Sequence, residues 1–142
     1  MRPRFTLMLV ACLAAGCGGG ESVAPVSGRV TLDGQPAAGV HVGFQPLAVG
    51  DNKNPGGGSY AITDADGRYT LRLVESDRPG AVVGKHRVEI TTRVGVADDL
   101  HDTRPKAANP KAAIPVKFNR ESTLTFEVKP GPNEANFDLK SK

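Results

Sequence analysis

Val26-Ser27-Gly28-Arg29-Val30-Thr31-Leu32-Asp33-Gly34 is the stretch on which the fold turns. Val26, Val30 and Leu32 share one face at the two-residue period of an extended strand. Asp33-Gly34 then supplies two residues that tolerate positive φ, the mark of a tight turn. Working outward, Val40-His41-Val42-Gly43-Phe44 alternates in the same way, with Val40, Val42 and Phe44 inward and His41 outward. Ser59 to Thr63 is again extended, and Asp64-Ala65-Asp66-Gly67 turns it into Arg68-Tyr69-Thr70-Leu71-Arg72-Leu73, which reads most economically as a hairpin with Tyr69, Leu71 and Leu73 inward. Gly84 to Thr91 places His86, Val88 and Ile90 on one face. Ile114 to Phe118 reads as a short edge segment because Pro115 cannot donate to a ladder. Thr123 to Val128 and Asn136 to Leu139 close the series, with Gly131-Pro132 between them.

These segments predict seven or eight short strands, with no helical periodicity beyond the N-terminal stretch. Strands with one wet face pair antiparallel, and two such sheets bury their apolar faces against each other. The expected architecture is therefore all-β: a seven- to eight-stranded antiparallel Greek-key sandwich. Pro46 to Gly58 is polar and glycine-rich and predicts a long surface loop, and Glu75 to Ala81 a second one. Arg93 to Ala113 has mixed charge and no period, and at about 20 residues exceeds most connections inside a compact domain.

The N-terminus has a different chemistry. Met1-Arg2-Pro3-Arg4 is basic, and an uncharged, mostly apolar run of 11 residues follows from Phe5 to Ala15. That length suits the hydrophobic region of a signal peptide and is well short of the ~20 residues of a membrane-spanning helix. Leu13-Ala14-Ala15-Gly16-Cys17 resembles the lipobox of bacterial lipoproteins, in which small residues precede a cysteine that receives a diacylglyceryl group before cleavage. Ala14 stands where the commonest pattern has Leu, with Leu13 one position further out. Leu9-Val10-Ala11-Cys12 also fits the bare pattern, but cleavage there leaves too short an apolar run. The resemblance implies a signal peptide over 1-16 and a lipidated N-terminus with a flexible tether over 17-24, followed by a sandwich domain over 25-142. Gly18, in place of Asp, implies the outer membrane over the inner one.

Removing the leader lowers the 18 basic residues to 16 by taking Arg2 and Arg4, against 15 acidic residues, so the net charge falls from +3 to +1. Neither a basic stripe nor a stacking set of aromatics remains, which excludes a nucleic-acid partner. Both cysteines, Cys12 and Cys17, lie in the leader and at its end, so the domain itself has no thiol for a disulfide or a metal. The 126 residues left from 142 suffice for one core.

Val26 to Val30, Asp33-Gly34-Gln35-Pro36-Ala37-Ala38-Gly39-Val40-His41-Val42, and Thr63-Asp64-Ala65-Asp66-Gly67-Arg68-Tyr69-Thr70-Leu71 together resemble the carboxypeptidase regulatory-like domain. That family has a transthyretin-like, or prealbumin-like, β-sandwich. The resemblance covers about residues 24 to 92 well and the remainder loosely, and its motifs are turns and strands, which specify a fold and not an activity. In the metallocarboxypeptidases this domain stands beside a catalytic one that has no counterpart here. Related sandwiches that cleave aromatic rings hold iron with two Tyr and two His, an arrangement that Tyr60, Tyr69 and the three histidines do not reproduce. The hydroxyisourate hydrolases end in a Tyr-Arg-Gly-Ser signature, whereas this chain ends Phe137-Asp138-Leu139-Lys140-Ser141-Lys142.

The remaining candidates are metal ligands. Asp64 and Asp66 with Gly67 have the character of an acidic calcium loop, but the glycine comes too early for the EF-hand spacing and no bidentate Glu follows. A turn in which Asp caps backbone N–H groups and Gly67 takes positive φ is the preferred reading. Asp98, Asp99, His101 and Asp102 form the densest set of potential ligands, in the longest loop. No cofactor and no catalytic residue is expected. The sequence therefore predicts a non-enzymatic envelope lipoprotein, held by lipid on Cys17 and presenting loops or a strand edge to an envelope protein or polymer. The alternative is a metal or small-ligand binding domain using the loops at Asp51 to Gly58 and Asp98 to Asp102.

Overall fold

In the computed structural model the described residues are 21–50, 53–92 and 113–142. They form β1 (Val23–Ala24), β2 (Val26–Leu32), β3 (Gln35–Pro36), β4 (Val40–Pro46), β5 (Ser59–Ile62), β6 (Arg68–Thr70), β7 (Arg72–Leu73), β8 (Ala81–Val82), β9 (Gly84–Thr92), the 3-10 turn η1 (Val116–Phe118), β10 (Thr125–Val128), β11 (Asn133–Glu134) and β12 (Phe137–Leu139). The protein is an all-β sandwich. One sheet has the order β10-β9-β4-β5-β7 and is antiparallel throughout. The other is built around β2, and a small third sheet pairs β1 with β8.

The predicted alternation is visible in the burial. Val26, Val30, Val40, Val42, Phe44, Leu71, Val88 and Ile90 are fully buried in one cluster that draws on all three sheets. Phe44 sits at its centre, with its ring 5.8 Å from that of Phe126 and 6.2 Å from that of Phe137, so the two large sheets meet through these rings. Asp33 (φ 51) and Gly34 (φ 82) form the two-residue turn that joins β2 to β3, the primed geometry that suits a twisted hairpin.

Three expectations need correction. First, the last strands do not pair antiparallel: β11 and β12 both run parallel to β2, with Asn133 opposite Val26 and Leu139 opposite Leu32. The backbone of β2 alternates its bonds between two neighbours. Val26 O accepts from Leu71 N on the β6 side, and Ser27 O accepts from Ala135 N on the β11 side. The chain reaches that second edge by leaving β10 and crossing from one sheet to the other, so Gly131-Pro132 belongs to a crossover and not to a hairpin. Asn133 ties the crossover together: its amide donates to Lys129 O (2.8 Å) and Gly131 O (2.7 Å), and its Oδ1 accepts from Lys129 N (2.9 Å).

Second, the strand read over Arg68 to Leu73 is divided between sheets. Arg68–Thr70 pairs with β2, whereas Arg72–Leu73 pairs with β5. Tyr69, Leu71 and Leu73 alternate without interruption because both sheets face one core, so the side-chain pattern carries no trace of the switch. Third, the number of strands exceeds seven or eight, since β1, β3, β7, β8 and β11 are two residues long and too short to show a period. The Ile114 to Phe118 segment is a 3-10 turn and not an edge strand, with Phe118 N and Asn119 N donating back to Pro115 O and Val116 O.

Candidate functional site

Cys17 and the set Asp98, Asp99, His101 and Asp102 lie outside the described residues, as does Asp51. Asp64 and Asp66 lie within them. The Asp64 Oδ1 accepts from the backbone N–H of Asp66 and of Arg68, each at 2.9 Å, which is the capping arrangement of a turn. One of the two Asp64 carboxylate oxygens is thereby engaged in the turn. Among the described residues no three His, Cys, Asp or Glu side chains converge in a way that could hold a metal ion.

The histidines separate. His41 is half-buried on the outer face of the β4–β5 pair and stacks on Tyr60, with centroids 6.1 Å apart and planes at 8°. His86 is fully buried, on the inward face it shares with Val88 and Ile90. Its ring centroid is 5.7 Å from that of Phe44, and its Nδ1 is 3.0 Å from Gly84 O. A carbonyl only accepts, so Nδ1 carries the proton and Nε2 is a bare acceptor, with no hydrogen-bond partner among the described residues. Burial lowers the pKa of the ring, opposed by the bond to Gly84. Ser59 Oγ is the other buried polar atom left without a partner among the described residues.

Two concavities remain. An open trough of about 830 Å³ runs along the outer face of the β2 sheet and is lined by Arg29, Arg68, Tyr69, Asn133, Glu134 and Asp138 among others. Several of its polar groups are bonded to one another or to nearby backbone. Arg29 Nε donates to Asp66 O (2.9 Å), Thr31 Oγ1 to Asp138 Oδ1 (2.6 Å), and Asn136 Nδ2 to Glu134 Oε1 (2.7 Å). The Tyr69 hydroxyl donates to Ala135 O at 2.6 Å, and burial raises its pKa. This is the wet face of a sheet, and the Thr31–Asp138 and Tyr69–Ala135 bonds help hold β12 and the segment before it against the sheet.

The second is a recess of about 190 Å³ where the N-terminal segment meets two loops, lined by Glu21, Val23, Gly58, Leu73, Glu75 and Arg78 among others. The loop expected over Pro46 to Gly58 does not stand free at its C-terminal end. Pro55 to Gly58 is half-buried, with Gly56 packed against Glu21 and Val82, and Gly57 against Glu75. Glycine there lets the backbone itself fill the space between the N-terminal segment and the loop after β7. Sequence reasoning had no signal for this packing, because a run of glycines has no side-chain pattern.

No known protein family matches the chain, and no curated protein is similar to it. Among solved structures it is similar to a DUF3823 family protein from Parabacteroides merdae, at 17% identity and a TM-score of 0.43, over 84% of this chain and 46% of that one. The chain thus spans less than half the length of that protein. The class that the fold defines is the all-β sandwich.

Proposed function

We propose that this protein is a non-enzymatic cell-envelope lipoprotein, in which lipid on Cys17 holds a carboxypeptidase regulatory-like sandwich at the membrane as a structural or protein-interaction module. The observation that supports it is the register between leader and fold. The lipobox-like Leu13 to Cys17 is separated by four residues from Ser22, whose O accepts from Val83 N at 2.7 Å, and Ala24 is already in the core at 2% exposure. A leader removed at Cys17 therefore costs the sandwich none of the strands described here. Gly18 after the cysteine favours the outer membrane. Thr31, Tyr69 and Asn136 of the trough are each bonded to groups of the C-terminal strand segment, which supports a scaffold in preference to catalysis.

The test is metabolic labelling with radioactive palmitate, comparing the wild type with Cys17→Ser, followed by membrane fractionation. Label and membrane retention in the wild type, both lost in the variant, are expected. A wild type that takes up no label and fractionates as soluble overturns the reading.

A further inference from the structure

On the lipid-anchored reading of this protein, the length of the tether bears on which end of the sandwich meets the bilayer. Four residues separate Cys17 from Ser22. Five Cα–Cα steps span at most about 18 Å even when fully extended. From Ser22 onward the chain is fixed: Ser22 O is bonded to Val83 N, Val23 pairs with Val82, and Ala24 pairs with Ala81. The anchor is thus tied to one end of the sandwich by a leash shorter than strand β9, which runs about 26 Å from Gly84 to Thr92.

That end is well defined. It holds the start of β9 at Gly84, the end of β10 at Val128 opposite it, and the end of β4 at Pro46 opposite His86. Three large apolar side chains stand out as exposed among the described residues: Val49 (61%), Val74 (61%) and Val116 (55%). Two of them are at this end. Val74 N donates to Gly58 O, and its neighbours Leu73 and Glu75 line the recess shared with Glu21 and Val23. Val49 lies two residues beyond Leu47, whose N donates to Lys85 O beside Gly84. Val116 belongs to the segment that begins where Ile114 N donates to Thr92 Oγ1, at the far end of β9. A lone exposed valine is ordinary. Two of them on the end that carries the leash are placed where a lipid surface would cover them.

We propose that the domain docks on the bilayer surface with the β1–β8 end down, Val49 and Val74 entering the headgroup region. The tether supplies the high local concentration of lipid, so a contact too weak to bind a free domain suffices. The far end then projects away from the membrane. It carries the Asp33-Gly34 turn, the Asp64–Gly67 turn, Thr92 and Ala113 on either side of residues 93–112, and the C-terminus, where Ser141 N donates to Asp33 Oδ1.

The sandwich contains no cysteine of its own, and lipid blocks Cys17, so Val49→Cys, Val74→Cys and Val116→Cys each give one labelling site in the mature full chain. Each is labelled with an environment-sensitive NBD fluorophore, and the protein is reconstituted in phosphatidylethanolamine/phosphatidylglycerol vesicles with or without a doxyl-labelled lipid quencher. Severalfold stronger lipid quenching at positions 49 and 74 than at 116 is the expected result. Co-flotation with the vesicles but equal quenching at all three positions overturns the docking and leaves the anchor standing. Shielding of 49 and 74 from aqueous iodide without lipid quenching also overturns it, in favour of a protein covering that end. Failure to float, with no lipid on Cys17 by mass spectrometry, removes both readings.

Discussion

His86 and Ser59 lie on the inward faces of β9 and β5, and each carries a side-chain polar atom with no hydrogen-bond partner among the described residues. A buried hydroxyl without a partner loses its bonds to water and gains nothing. Ser59→Ala is therefore expected to stabilise the protein by about 1 kcal/mol, read as a raised urea midpoint; a lowered midpoint would mean that the hydroxyl is engaged in solution. For His86, the unfolded chain takes up a proton near pH 6.5, whereas the folded ring, buried against Phe44, takes it up only at lower pH. Between those two values the unfolded state binds more protons, so stability rises with pH through that window and falls as pH drops below about 6.5. Thermal midpoints measured from about pH 5 to 8 are expected to show this acid-side loss in the wild type and not in His86→Phe, whose ring fits among aromatic neighbours. A difference between the two proteins that stays constant with pH would assign the loss to other groups.

At the scale of elements, the parallel addition of β11 and β12 to β2 depends on one close approach. An added Cβ on Gly28 would stand 1.8 Å from Ala135 O, between the two stretches of pairing, where Arg29 N donates to Asn136 Oδ1 at 2.9 Å in place of a backbone acceptor. Gly28→Ala must push the C-terminal strand off its edge. It is expected to destabilise by about 3 kcal/mol, near the upper end of overpacking costs, and to expose amides 133–139 to hydrogen exchange while leaving β4 and β9 protected. Protection unchanged at the C-terminal strand would show that the pairing accommodates the methyl. The longer strands were legible because Val, Ile, Leu and Phe alternate within them. Their partners were not, because a parallel edge strand and an antiparallel one show the same period-two pattern.

For the molecule as a whole, the labelling and vesicle measurements test a polarity that only the fold reveals. The N-terminal segment enters beside Gly84, and the C-terminus ends beside the Asp33–Gly34 turn, where Leu139 O accepts from Asp33 N. Asp33 is held below the ordinary carboxylate range chiefly by the Ser141 hydrogen bonds, with the charges of Lys140 and Lys117 adding to them. On the proposed reading, membrane lies at the first of these ends and envelope space at the second. The sequence by itself determined the strand-forming segments, their inward faces, the tight turn at Asp33-Gly34 and the lipobox-like Cys17, because each is a local pattern of side-chain types. Only the tertiary structure decided which sheet each strand joined, that Arg68 to Leu73 changes sheets at Leu71, that Asp64 caps its own turn, and which end carries the leash. Those depend on pairings between residues as far apart as Val26 and Asn133, and the energies that select them arise only when distant segments share one core.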